Sequence, residues 1–314
     1  MSRFARYGWG VLAFNLLVIL WGAYVRASGS GAGCGAHWPL CNGEVIPRAP
    51  SVETLVEMAH RITSGIALLL VVGQLAWARR ALPKGDAARV VAHVAMALML
   101  TEALVGAGLV LFEMVAQNQS IARAYWLAAH LLNTFGLVAA LALVPWYASG
   151  QPAPRPGRFG PELKLLLAAL AGTLLLGMTG AVTALGDTLF PAASLAEGMA
   201  QDFSPTAHFL VRLRVVHPTL AVLVVILLLL TAGVNAKLRP SVTTRRLAMA
   251  VAGLAVTQLA AGLVNLLLLA PIGMQLVHLL LADALWIALV LLAASSWAWS
   301  DGSASTPGAR PAAG

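Results

Sequence analysis

Eight separate runs of about twenty apolar residues constrain this chain more than any other feature. They fall near residues 8–26, 54–79, 89–112, 124–147, 162–184, 210–233, 244–269 and 274–299. Each is long enough to cross ~30 Å of hydrocarbon, and a backbone in lipid must satisfy its polar groups within the segment, so each is expected to be a helix. The alternating period of an outer-membrane strand is absent. With 60% apolar and only 10% charged residues among 314, the chain has far more apolar surface than a soluble domain of this size can hide. The expected fold class is an all-α integral membrane protein. The first run follows Arg3 and Arg6 and exceeds the ~7–15-residue core of a cleaved signal peptide, so a retained helix is expected.

The formal charge of +8 raises nucleic acid as a partner. The basic residues are scattered over short loops with no stripe and no interleaved aromatics, which argues against it. Fourteen of the 20 Lys and Arg, among them Arg3, Arg79, Lys84 and Arg245, fall on one face of the expected bundle; Arg26, Arg48, Arg61, Arg123, Arg212 and Arg214 fall on the other. The excess of positive charge on cytoplasmic loops then puts both termini inside and the long loops 27–53 and 185–209 outside. "SGQPAPRPGRFGP" reads as an inside linker between two halves, 1–150 and 151–300, and the polar tail at 301–314 is expected to be disordered.

The halves repeat each other. "GAYVRASG" from Gly22 returns as "GAVTALG" from Gly180, His60 pairs with His217, and "TEALVGAGLV" from Thr101 returns as "TQLAAGLVN" from Thr257. His130 pairs with His278 at a shorter separation, as a longer third loop in the first half requires. Four spans per unit give both units one orientation, so a pseudo-twofold axis along the membrane normal is expected to relate two tandem four-helix bundles.

Four histidines fall in the even-numbered spans. His60, His130, His217 and His278 lie four to seven residues past the expected outer entry points, roughly 6–10 Å deep at 1.5 Å per residue. A lone intramembrane histidine is most simply an interhelical hydrogen-bonding group. Four at one depth, paired by a repeat, point instead to ligands: imidazole binds haem iron, and bundle helices present such ligands inward. Zinc is the alternative, but no cysteine stands beside the set. His93, His208 and His37 lie elsewhere in the chain. Arg26, Arg61, Arg123, Arg212 and Arg214 fall near the same level and are candidates to pair haem propionates; snorkelling at helix ends is the simpler reading of each.

In "EMAHR", Glu57 and His60 are i and i+3, and Glu57 and Arg61 are i and i+4, so they share a helix face. Glu57 reads either as the partner of Arg61 or as an acid–base group beside a haem. Arg214 stands at the matching position of the second half, leaving the carboxylate in the first half only. Glu102, matched by Gln258, is a second polar group in mid-span and a candidate proton relay.

The sequence resembles the haem A synthases over nearly its whole length. The resemblance rests on "GAYVRASGSGAGCGAHWPLCNG" after the first span, "EMAHR" in the second, and the histidines of the fourth, sixth and eighth. It implies oxidation of the methyl at ring position 8 of haem O to the formyl group of haem A. His60 and His130 would be axial ligands of the substrate haem, His217 and His278 would hold a haem b, and Glu57 would be the catalytic carboxylate. It implies a bacterial plasma (inner) membrane with the haem sites toward the outer face, where a Cys34–Cys41 disulfide is compatible with the oxidising side. Ala36 and His37 stand where the family often carries an acidic residue. The implied partners are haem O synthase (a farnesyltransferase), cytochrome oxidase assembly, an electron donor and the lipid bilayer, with a homo-oligomer allowed. Two other classes fit parts of the pattern. A di-haem electron-transfer cytochrome or quinol oxidoreductase would use the same histidines, but would leave Glu57 and the loop without chemistry. A transporter would show more broken mid-span helices than Pro218 supplies.

Overall fold

The structure is a computed structural model that describes residues 1–153 and 160–298. Part of the interhalf linker and the C-terminal tail lie outside the described residues. Among the described residues ten α-helices run in order: α1 Arg3–Ala27, α2 Val52–Ala81, α3 Ala87–Leu111, α4 Ile121–Ala148, α5 Pro161–Leu189, α6 Leu195–Asp202, α7 Phe209–Arg212, α8 Val216–Leu238, α9 Val242–Leu267 and α10 Ile272–Trp297. With α7 and α8 taken as one span, eight helices among the described residues are long and apolar enough to cross a membrane. The protein is an all-helical, multi-pass membrane protein.

The helices outrun their apolar stretches because side-chain caps stabilise their polar ends. Ser2, Ser51, Asp86, Ser120 and Ser241 each accept a backbone N–H of the first turn, replacing one of the partners those amides lack. The sixth span departs from a continuous helix. A 3₁₀ turn at Leu213–Val215 separates α7 from α8. Pro218 has no N–H and its ring crowds the carbonyl four residues back, at Arg214, so the ladder opens there.

The first four helices close in the order α1, α2, α3, α4 and back to α1; the second four close as α5, α8, α9, α10, with α10 returning to α5. Between the sets, α4 packs on α5, α1 on α10, and α4 on α10. Half of the most apolar stretch of α4 and of α10 is buried, against 17% for α2, α5 and α9, so the core lies along the α4–α10 seam. Trp286 there donates its indole N–H to the Phe135 carbonyl at 2.8 Å and stacks on the Phe135 ring. Buried alanines such as Ala67, Ala95, Ala169, Ala248 and Ala255 let helices approach closely, which drives association where lipid removes the hydrophobic incentive.

Candidate functional site

All four histidines lie at the end of the bundle that carries the two long loops. They come eight residues after Val52, nine after Ile121, eight after Phe209 and six after Ile272, roughly 9–14 Å along their helices. This is deeper than the apolar boundaries suggest, because the helices begin earlier than the apolar runs.

Three of the rings rest on glycines of neighbouring spans. A Cβ added at Gly22 would lie 2.8 Å from His60 Cε1, one at Gly180 would lie 2.9 Å from His217 Cε1, and one at Gly262 would lie 3.0 Å from His278 Cε1. Helix glycine here provides room for an imidazole that approaches the adjoining backbone through Cε1. In the second half the His217 and His278 rings stand 6.4 Å apart, centroid to centroid, at 86°. An iron with an imidazole nitrogen about 2 Å away on either side needs centroids about 6 Å apart. Thr179 Oγ1 lies 3.2 Å from His217 Nδ1, leaving Nε2 for a metal. In the first half His60 lies within electrostatic range of His130 and Glu102. The Nδ1 atoms of His60, His130 and His278 are buried without a hydrogen-bond partner among the described residues. Orphaned imidazole nitrogens and glycine cradles in both halves, with a ring spacing that spans an iron in the second, fit haem sites.

Glu57 is buried, and both its oxygens are engaged. Oε2 accepts the Cys34 N–H at 2.8 Å and Oε1 pairs with Arg61. Arg61 donates onward to the carbonyls of His37 and Leu40, each at 2.6 Å. Cys34 and Cys41 form a disulfide, so Arg61 grips the covalently closed loop from within. Gly33 sits so close to the start of α2 that a Cβ there would collide with the Glu53 carbonyl. The Glu57–Arg61 ion pair is formed, and it holds the carboxylate one helical turn from His60.

The second half docks its loop at the same position with the charge reversed. Arg214 pairs with Asp187 at 3.1 Å and with Asp202 at 3.7 Å, and donates to the carbonyls of Gly186 and Phe190. A Cβ at Gly186 would crowd the Leu210 carbonyl, as one at Gly33 would crowd that of Glu53. Asp202 lies outside the spans; burial raises its carboxyl above the ordinary range, and Arg214 pulls it partly back.

Arg26 and Arg123 also have protein partners. Arg26 donates to Ala184 O, Thr188 Oγ1 and Gln275 Oε1 at 2.8–2.9 Å, joining the two halves. Arg123 donates to Ala116 O and Asn118 O, holding the loop before α4. Arg212 is exposed. His93 bonds Arg79 and the Arg89 carbonyl, away from the layer, and His208 caps α7. Sequence reasoning missed Asp187, Asp202 and the cradle glycines. Gly22 and Gly180 do open the two copies of the repeat, and that recurrence was the available signal.

The architecture and the site define a multi-pass helical membrane protein with imidazoles gathered at one end of a double four-helix bundle. The model of the COX15-CtaA family, described as cytochrome oxidase assembly protein, matches residues 5–290, and the chain belongs to that family. It is 56% identical over 296 residues to a Thermus thermophilus protein named protoheme IX farnesyltransferase, covering 94% of this chain and 48% of that protein. It is 39% identical over 140 residues to a heme A synthase of Halalkalibacterium halodurans (44% of this chain, 45% of that one). It is 34% identical over 166 residues to a heme A synthase of Exiguobacterium sibiricum (53% and 54%). The chain thus spans about half the length of these curated relatives. The family agrees with the resemblance carried by the loop motif and "EMAHR".

Proposed function

We propose that the protein is a haem A synthase, oxidising the ring-position-8 methyl of haem O to a formyl group. The observation that carries this reading is the layer of four histidines, two to each half and three of them cradled by glycines, in a chain of this family. His60 and His130 take the substrate haem; His217 and His278 hold a haem b. When bound, the haem b supplies one-electron transfer.

The chain's own groups do the rest. Gly22 and Gly180 fix the His60 and His217 rings, which sets where a macrocycle lies. The disulfide-closed loop, clamped by Arg61, covers the entry turns of α2 and keeps bulk water from the first site. Taking a methyl to a formyl group removes electrons and protons in two successive oxidations and adds one oxygen atom. Glu57, one helical turn from His60, accepts a proton at a carboxylate oxygen, while the Cys34 amide and Arg61 hold that carboxylate in place. Both termini lie on the cytoplasmic side of a bacterial plasma membrane, with the histidine layer outward. The matched neighbour order of the two halves, and the contact of Arg26 with Ala184 at its own repeat position, support a pseudo-twofold axis along the membrane normal. The farnesyltransferase name of the Thermus thermophilus relatives supports association with the enzyme that makes haem O.

Pigment extraction from His60→Ala and His217→Ala variants tests the reading. The first variant is expected to lose haem O and haem A while keeping haem b, and the second to lose haem b. Haem b alone in both sites of the unaltered protein would refute it in favour of a di-haem cytochrome.

A further inference from the structure

In each half the third span sets a polar side chain against the histidine of the fourth, and the two side chains differ in charge. In the first half Glu102 Oε1 of α3 lies 3.4 Å from His130 Nδ1. The carboxylate faces α4 because Asn133 Nδ2 donates to Oε2 at 2.5 Å and Thr134 Oγ1 donates to Oε1. Thr101 Oγ1 in turn donates to Asn133 Oδ1 at 2.6 Å. The Glu102–His130 contact sits off the line of a closed hydrogen bond, and no hydrogen-bond partner among the described residues competes for Nδ1. In the second half the repeat places Gln258 at this position, with its amide nitrogen 3.3 Å from His278 Nε2. The pairings of Thr101 with Thr257 and Gly106 with Gly262 fix this correspondence.

We infer that Glu102 is a positioning residue that makes His130 a more electron-donating ligand than His278, so that iron in the first half has the lower reduction potential. The inference rests on the proposed haem sites. A metal-bound histidine whose second nitrogen faces a carboxylate is held in one tautomer and becomes more basic, and a richer ligand favours the oxidised metal. A neutral amide gives orientation without charge. The repeat sets a polar side chain of the third span beside each imidazole, at Nδ1 of His130 and at Nε2 of His278, and carboxylate against amide separates the electronic character of the two sites.

The test is a spectroscopic redox titration of the purified, haem-loaded protein, resolving both haems, with Glu102→Gln and Gln258→Glu variants. Glu102→Gln preserves side-chain length and an oxygen that can accept from Asn133 or Thr134. It is expected to raise the ratio of reduced to oxidised first-half haem about tenfold at fixed ambient potential, about 59 mV for a one-electron couple. Gln258→Glu is expected to shift the second-half haem by a comparable factor in the opposite direction, leaving the first unmoved. A purely structural role for Glu102 predicts neither shift. Two bound haems whose midpoints do not move in either variant would overturn the inference and leave the functional reading standing. A protein whose haem content does not change on His130→Ala would overturn both.

Discussion

Replacing Gly22 or Gly180 by alanine separates haem binding from folding. The added methyl at Gly22 would stand 2.8 Å from His60 Cε1 and 3.1 Å from Nε2, and the one at Gly180 would stand 2.9 Å from His217 Cε1. Carbon atoms prefer at least about 3.5 Å, so each ring must give by about 0.6 Å or more. Its alternative is to leave the position the helix holds it in. Overpacking of this kind costs roughly 1–3 kcal/mol, which at about 1.4 kcal/mol per tenfold weakens haem binding roughly 5- to 150-fold. The helix itself gains up to about 1 kcal/mol from Gly→Ala, and no ligand holds the displaced ring in the haem-free protein, so its melting is expected to change less than haem affinity does. Gly10, on the same helix as Gly22, and Gly65, on α2 beside it, have nothing within 4 Å of an added Cβ, and their alanine variants serve as controls. Haem content per chain, haem titration and thermal melting in detergent give the readout. Gly22→Ala should deplete the first-half haem, Gly180→Ala the second-half haem, and neither control either one. Full occupancy and unchanged affinity in both cradle variants would refute the claim that these glycines set the ligand rings.

Two further outcomes follow from the loop clamps and the seam. Arg214→Ala leaves Asp187 and Asp202 without their cation and should cost about 1–3 kcal/mol, seen as a lower melting temperature. Because burial already raises the Asp202 carboxyl and Arg214 opposes that shift, the variant should recover stability as pH falls from above the raised value toward the ordinary carboxylate range; a deficit that is flat across that window would refute the pairing. Asp283 is fully buried in α10 with neither carboxylate oxygen hydrogen-bonded among the described residues. Asp283→Asn should therefore be neutral or stabilising by up to about 3 kcal/mol in thermal melts, and a clear loss of stability would show that the charge has a partner in the working protein.

Much of the architecture was legible because it depends on local quantities. Apolar length sets each span. The same repeat singled out His60, His130, His217 and His278. The sequence was less informative about the arginines. Arg26, Arg61, Arg123 and Arg214 stand at the expected level, yet each meets backbone carbonyls or carboxylates of loops and neighbouring spans. Periodicity carries no record of where a loop folds back, so those partners could not be read in advance. The break in the sixth span was only partly legible, since Pro218 marked it but its effect falls four residues earlier.

The sequence alone determined eight spans, the repeat, and four imidazoles in the even spans at comparable depth, because hydrophobic length and helical rise act along the chain. Only the tertiary structure decided that Glu57 and Arg214 clamp opposite loops with opposite charge, that glycines of neighbouring helices seat the rings, and that Glu102 faces His130 while Gln258 faces His278. Those outcomes depend on the distance between side chains far apart in sequence, which is fixed only once the helices have packed.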